Sequence, residues 1–255
     1  MKKKRLLIII GIVLLVLAII FLLVFPHKTK APASDSTTKT SAGDLTQNSS
    51  PTSTPPAGFD KTQYSISTPG SPWWIVSRKR PLPDGYVPPD LVTPKVTLNS
   101  SKSASENTLR KDTATAVEQL FAGAKAAGLN YMLASGYRSK ALQTSLYNNY
   151  VKQYGQAQAD TFSARPGTSE HQTGMALDVS RADRKLYLDQ AFGNDPAGQW
   201  LAEHAHEYGF IVRYPEGKDA ITGYEYEPWH IRYVGIPLAT ELHKTGQTME
   251  EFFGL

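Results

Sequence analysis

The 255-residue chain contains no cysteine. That excludes disulfide stapling and any cysteine-ligated metal, so an exported form must draw its stability from an apolar core. Histidine is scarce, with six in the whole chain, which leaves few positions for imidazole chemistry. Net charge is also nearly absent from most of the molecule. Setting aside the four basic residues Lys2, Lys3, Lys4 and Arg5, 27 less 4 leaves 23 basic residues against 23 acidic ones. A neutral remainder gives no reason to propose nucleic acid or another extended polyanion as a partner. Internal repeats are lacking too. Residues 26–57 are almost devoid of large apolar groups, being dominated by Ser, Thr, Pro, Ala and Gly. Such a segment cannot bury enough surface to offset its ordering entropy and reads as a flexible stalk.

What the chain does have at its start is an uncharged run, "LLIIIGIVLLVLAIIFLLVF", from Leu6 to Phe25. At about 1.5 Å per residue it matches the roughly 30 Å hydrocarbon core of a bilayer, and it carries no polar stripe of the kind a core helix shows. The basic cluster before it outweighs Lys28 and Lys30 after it, so the start is expected to stay cytoplasmic and the remainder to lie outside. "PHKTK" follows where a cleavage site would stand, which favours an uncleaved anchor over a removed signal. The expected organisation is an anchor at 1–25, a stalk at 26–57 and one domain at 58–255. An extended arm occupies 58–105 and a catalytic core 106–255.

Within the core, Leu109, Thr113, Ala116, Val117, Leu120, Phe121 and Ala124 follow a helical spacing, predicting a helix over 107–127 that ends at Gly128. "NYMLAS" reads as a strand. A second helix is expected over 139–154, with Ser139 as N-cap, an apolar stripe of Leu142, Leu146, Tyr150 and Val151, and Gly155 as terminator. A third starts at Asp195 and Pro196 and stops at Gly209. "FIVRY" and "PWHIRYV" read as strands, and two short helices near 238–244 and 248–253 close the chain. Helices and short strands without regular βαβ alternation indicate an α+β domain with a small antiparallel sheet flanked by helices.

Two stretches carry chemistry. In "SEHQTGMALDVS", alternation puts Met175, Leu177 and Val179 on one strand face and Asp178 on the other. In "EYEPWHIRYVG", Trp229, Ile231 and Tyr233 alternate in the same way with His230 and Arg232. Two imidazoles, His171 and His230, and the Asp178 carboxylate form a donor set suited to four-coordinate Zn²⁺ with one open position. Glu227, three residues before His230 and held extended by Pro228, is placed to act as a base beside the metal without being a ligand. Spacing alone does not bring residues 171 and 230 together. Taken singly, His171 reads as a solvated turn residue, Asp178 as a cap and Glu227 as a surface charge. The remaining histidines, His27, His204, His206 and His243, are expected to be structural or solvated. Tyr137 and Trp229 adjoin the proposed site.

"SGYRS" at 135–139, "SEHQTGMALD" at 169–178 and "EPWHIRYVG" at 227–235, in this order, closely resemble the three blocks of the zinc D,D-carboxypeptidase family of VanY type, which includes L,D-carboxypeptidases. The resemblance spans about 75–255. It implies one Zn²⁺ held by His171, Asp178 and His230, with Glu227 as catalytic base and Arg138 stabilising the oxyanion. It further implies that Ser169, with Gln143 and Tyr137, faces the substrate. The implied protein is a membrane-anchored, extracytoplasmic and monomeric carboxypeptidase removing the C-terminal D-Ala of peptidoglycan stem peptides. The alternatives are an L,D-carboxypeptidase or endopeptidase using the same site, and a noncatalytic wall-binding module in which zinc is structural.

Overall fold

The computed structural model describes residues 59–255. The expected anchor and stalk lie outside the described residues. Among the described residues no helix is long and apolar enough to cross a membrane.

The sheet that organises the core is built from β3 (Tyr131–Ser135), β4 (Ala176–Arg181), β5 (Phe210–Val212) and β6 (His230–Tyr233), all antiparallel, in the order β3-β4-β6-β5. A separate ribbon pairs β1 (Leu91–Val92) with β2 (Leu109–Arg110). The helices in chain order are α1 (Lys111–Ala126), α2 (Lys140–Tyr154), α3 (Gln156–Phe162), α4 (Pro196–His204), α5 (Asp219–Thr222), α6 (Ile236–Thr245) and α7 (Met249–Phe253).

The alternation read in the two strands has its physical basis here. Leu133, Leu177, Val179 and Ile231 pack with Val117, Leu120 and Phe121 of α1 and Leu201 of α4 in one buried cluster. Burial of each such side chain contributes about 1.5–3 kcal/mol. With that face sealed, Asp178 and His230 must stand on the other, and the register sets them directly opposite each other. Ser135 also pairs with Asp178, across a register shift between Leu133 and Ser135. That irregularity ends β3 beside the site.

Several expected boundaries move for identifiable reasons. The first helix starts at Lys111 rather than 107, because Leu109 and Arg110 pair with β1 and Ser105–Asn107 forms a separate 3-10 turn. In α2, Ser139 caps the helix by accepting from the Leu142 N–H at 3.2 Å. Its most buried face is Gln143 and Tyr147, whereas the expected stripe of Leu142, Leu146 and Tyr150 is only half-buried. Gly155 ends α2 with φ 79° but α3 follows at once, a helix the sequence pattern did not announce. The third helix tightens into a 3-10 turn at Ala205–Tyr208 before Gly209. There His206 stacks on His243 with ring centroids 3.9 Å apart, while His204 meets Glu207 at 3.0 Å.

The expected arm is an integral layer. Tyr64 and Ile75 join Leu238 and Leu242 of α6 and Met249 and Phe252 of α7 in a second buried cluster. Trp73 donates its indole N–H to Val234 O at 2.8 Å.

Candidate active site

Three elements converge on one buried cluster. The 3-10 turn Glu170–Thr173 carries His171, β4 carries Asp178 and β6 begins at His230. One donor atom from each lies within 4.8 Å of the others, and all three residues are buried. His171 Nε2 stands 3.4 Å from Asp178 Oδ2, and His230 Nδ1 stands 3.3 Å from Asp178 Oδ1. The turn ends at Gly174 with φ 71°, where an added Cβ would come within 2.9 Å of Leu91. The glycine between His171 and Asp178 therefore serves both a left-handed turn and a close approach to the ribbon.

The orientation of His171 is fixed from behind, since its Nδ1 sits 2.8 Å from Gly136 O and leaves Nε2 to face Asp178. Gly136 lies so close to the chain before β2 that a Cβ there would be 2.5 Å from Thr108 O, which explains the glycine of "SGYRS".

Arg138 enters the site from the same loop. Its backbone N–H donates to His171 O at 3.2 Å and its Nη2 lies 3.7 Å from Asp178 Oδ2. Its Nη1 donates to Gln143 Oε1 at 3.0 Å. Gln143 in turn donates to Ala164 O at 2.6 Å, so its amide sits behind Arg138 and aims the guanidinium. Ser169, Arg138 and Glu227 line the cleft with the three donor residues, whereas Gln143 and Tyr137 are not among its walls. Tyr137 is buried, its backbone N–H donating to Thr108 O at 2.8 Å. Glu227 is anchored by its own N–H to Tyr214 O at 3.0 Å, and its Oε2 is 3.6 Å from His230 Nδ1.

The electrostatics separate the roles. Burial opposes ionisation of Asp178, yet the two imidazoles hold its carboxyl well below the usual range. Burial and the Arg138 charge lower the pKa of His171 and keep its ring neutral, the form that ligates. For His230 burial acts downward, but Asp178 and Glu170 outweigh it and raise the value to about 9. A metal entering the site must displace that proton. Burial pushes the Glu227 carboxyl up to about 8, which makes it an unusually strong carboxylate base.

Sequence reasoning missed several residues here. Tyr214, Tyr224, Tyr150, Phe162 and Leu188 also line the cleft, Tyr214 against Tyr224 and Tyr150 against Phe162. Glu170, Arg213 and Arg232 form a fully buried ion cluster behind His230. Arg232 shares a strand face with His230 by the same period of two, which was the available signal.

An α+β domain whose sheet and adjoining loops gather two imidazoles, a carboxylate, an adjacent raised carboxyl and an arginine has the make-up of a metallohydrolase. The family model of the D-alanyl-D-alanine carboxypeptidases, VanY, matches residues 106–236. The chain belongs to this family and is a peptide hydrolase of its zinc-dependent carboxypeptidase type. It is 40% identical over 189 residues to the putative carboxypeptidase YodJ of Bacillus subtilis (strain 168), covering 74% of this chain and 69% of that protein. To the bifunctional D-Ala-D-Ala dipeptidase and carboxypeptidase VanXYC of Enterococcus gallinarum it is 35% identical, covering 70% and 91%. Among solved structures, the LdcB LD-carboxypeptidase matches with TM-score 0.69 and 40% identity, over 73% of this chain and 87% of that one. A variant of the vancomycin-resistance D,D-pentapeptidase VanY in complex with Zn(II) matches with TM-score 0.59 and 34% identity, over 70% and 97%.

Zinc fits the residues present. Asp178 meets His171 through Oδ2 at 3.4 Å and His230 through Oδ1 at 3.3 Å, and two imidazoles with one carboxylate are the donor types of a zinc site with an open position. Asp178 Oδ1 is also a buried oxygen without a hydrogen-bond partner, in a donor set of two imidazoles and one carboxylate.

Proposed function

We propose that this protein is a D-alanyl-D-alanine carboxypeptidase that removes the terminal D-Ala of peptidoglycan stem peptides. The observation that carries the reading is the joining of His171, Asp178 and His230 with a base-strength Glu227 and an aimed Arg138 in one cleft. Of its relatives, VanYB is known in complex with D-alanine-D-alanine.

His171, Asp178 and His230 would hold the zinc, which when bound supplies Lewis acidity toward water and the scissile carbonyl. Glu227 accepts the proton of the attacking water at Oε2 and returns it to the leaving amine. Arg138 presents its guanidinium to the oxyanion, held in place by Gln143 and Ser135. Ser169 lies on the cleft wall where it offers a hydroxyl to the peptide. Tyr214 and Tyr224, packed 4.6 Å apart, line the same cleft as Glu227, and Tyr214 lies against the His230 ring at 4.8 Å.

A second reading, cleavage of the L,D bond of a tetrapeptide stem, is favoured by the higher TM-score to the LdcB LD-carboxypeptidase. Pentapeptide and tetrapeptide stems incubated with the zinc-loaded protein and read by mass spectrometry separate the two. Loss of one alanine from the pentapeptide alone is the expected outcome. Loss from the tetrapeptide alone would assign the L,D activity, and loss from neither would sink both.

The uncharged run Leu6–Phe25 and the basic residues before it support a single-pass anchor with the catalytic domain outside the cytoplasm. The full-length protein is expected in the membrane fraction, with its domain open to added protease on intact wall-stripped cells. Recovery in the soluble fraction, or complete protection, would overturn the anchored topology.

A further inference from the structure

The two imidazoles of the site are supported unequally. His171 has its outer nitrogen on Gly136 O at 2.8 Å. The outer nitrogen of His230, Nε2, is buried without a hydrogen-bond partner and faces Glu170 Oε2 at 3.9 Å. Glu170 Oε2 is itself buried and unpartnered, in a side chain only 1% exposed. The other oxygen of the same carboxylate, Oε1, accepts from Arg213 Nε and from Arg232 Nη1, both at 2.9 Å. One oxygen is thus fully committed, while its twin is aimed at the one ring nitrogen that needs an acceptor.

We propose that Glu170 is a positioning residue for the metal. Its free oxygen takes the Nε2–H of His230 and so fixes that imidazole with Nδ1 turned toward Asp178 and the cation. The inference rests on the zinc site and is independent of which bond the enzyme cuts. A ring anchored through its outer N–H is held in one tautomer and one orientation and is the more basic ligand for it. Glu170 is held as an acceptor in a fully buried place because its other oxygen already receives hydrogen bonds from two guanidiniums.

Those guanidiniums are tied to the rest of the molecule. Arg213 also grips Glu250 of α7, its Nη1 donating to Oε2 at 3.0 Å. Arg232 donates from Nη2 to Pro72 O at 3.0 Å and Trp74 O at 2.8 Å. The arm and the C-terminal helix are therefore tied to the two arginines that hold Glu170 in place.

The test compares Glu170→Gln with Glu250→Gln in the full chain, measuring zinc affinity by chelator competition and folding by circular dichroism. The two substitutions remove one negative charge each from the same arginine cluster, but only the first changes the atom facing His230. In Glu170→Gln the amide oxygen stays with the arginines and an N–H is left opposed to the His230 N–H. Zinc affinity is expected to fall about 10–100-fold while the circular dichroism of the folded protein is retained. Glu250→Gln is expected to lower the melting temperature and leave zinc affinity unchanged. Should Glu170→Gln fail to fold, Glu170→Asp keeps the charge for the arginines but withdraws the oxygen from the ring, and the same loss of affinity is expected. Equal affinity in wild type and the Glu170 variants, or an equal loss in Glu250→Gln, would overturn the proposal. Absence of zinc binding by the wild type would instead remove the metal site itself.

Discussion

Glu227→Gln is expected to lower kcat by about 10²–10⁴-fold with zinc content unchanged. The substitution preserves shape and the backbone anchorage to Tyr214, and Glu227 stands outside the three-residue donor set. What it removes is the proton acceptor. Burial holds that acceptor at about 8 in the metal-free site, with the His230 charge acting against the rise. A carboxylate so raised binds a proton more readily than a solvated one, and it sits 3.6 Å from a donor nitrogen of the site. Its reach therefore covers the space in which water must attack. The check is D-alanine release under single-substrate conditions beside metal analysis of the same sample. Full turnover in a zinc-bound Glu227→Gln protein would move the base elsewhere.

His171→Ala is expected to abolish both zinc retention and activity, with an affinity loss well beyond the roughly 10–100-fold that an outer partner costs. It deletes one of three donors, and it leaves Asp178 Oδ2 without the imidazole that stands 3.4 Å away. The readout that separates metal loss from a general defect is thermal. A ligand that binds only the native state stabilises by about 4 kcal/mol at a thousandfold excess over Kd, so the wild type should lose several degrees of Tm on chelation. The variant should show no response to chelator or added zinc. A persistent zinc-dependent shift in His171→Ala would mean that the ion sits elsewhere.

How far the site could be read before the fold was known depended on the range of the interactions. Period-two alternation is local, and it placed Asp178 and His230 on one face, where the register sets them opposite each other. Helix stops at Gly128 and Gly155 were legible from the same short range. The start of α1 was not, because Leu109 satisfies a helical stripe equally well as a strand partner of Val92, and pairing with β1 decided it. The family resemblance implied that Gln143 faces the substrate, while its buried amide in fact aims Arg138. The cluster of Glu170, Arg213, Arg232 and Glu250 is closed by bonds between residues as far as 62 positions apart, Glu170 to Arg232. Each is an ordinary charge in its own window, and nothing short of the packed fold gathers them.

The strand order has a consequence for how such a molecule comes into being. β5 pairs only with β6, and β6 is the last strand in the chain although it lies between β4 and β5. A chain emerging N-terminus first holds β3 and β4 together with His171 and Asp178, while β5 has nowhere to add. The insertion of one four-residue segment then closes the sheet and delivers the third donor in the same event. A chain stopped short of residue 230 offers two of the three donors and an open edge, and is expected to stay unloaded.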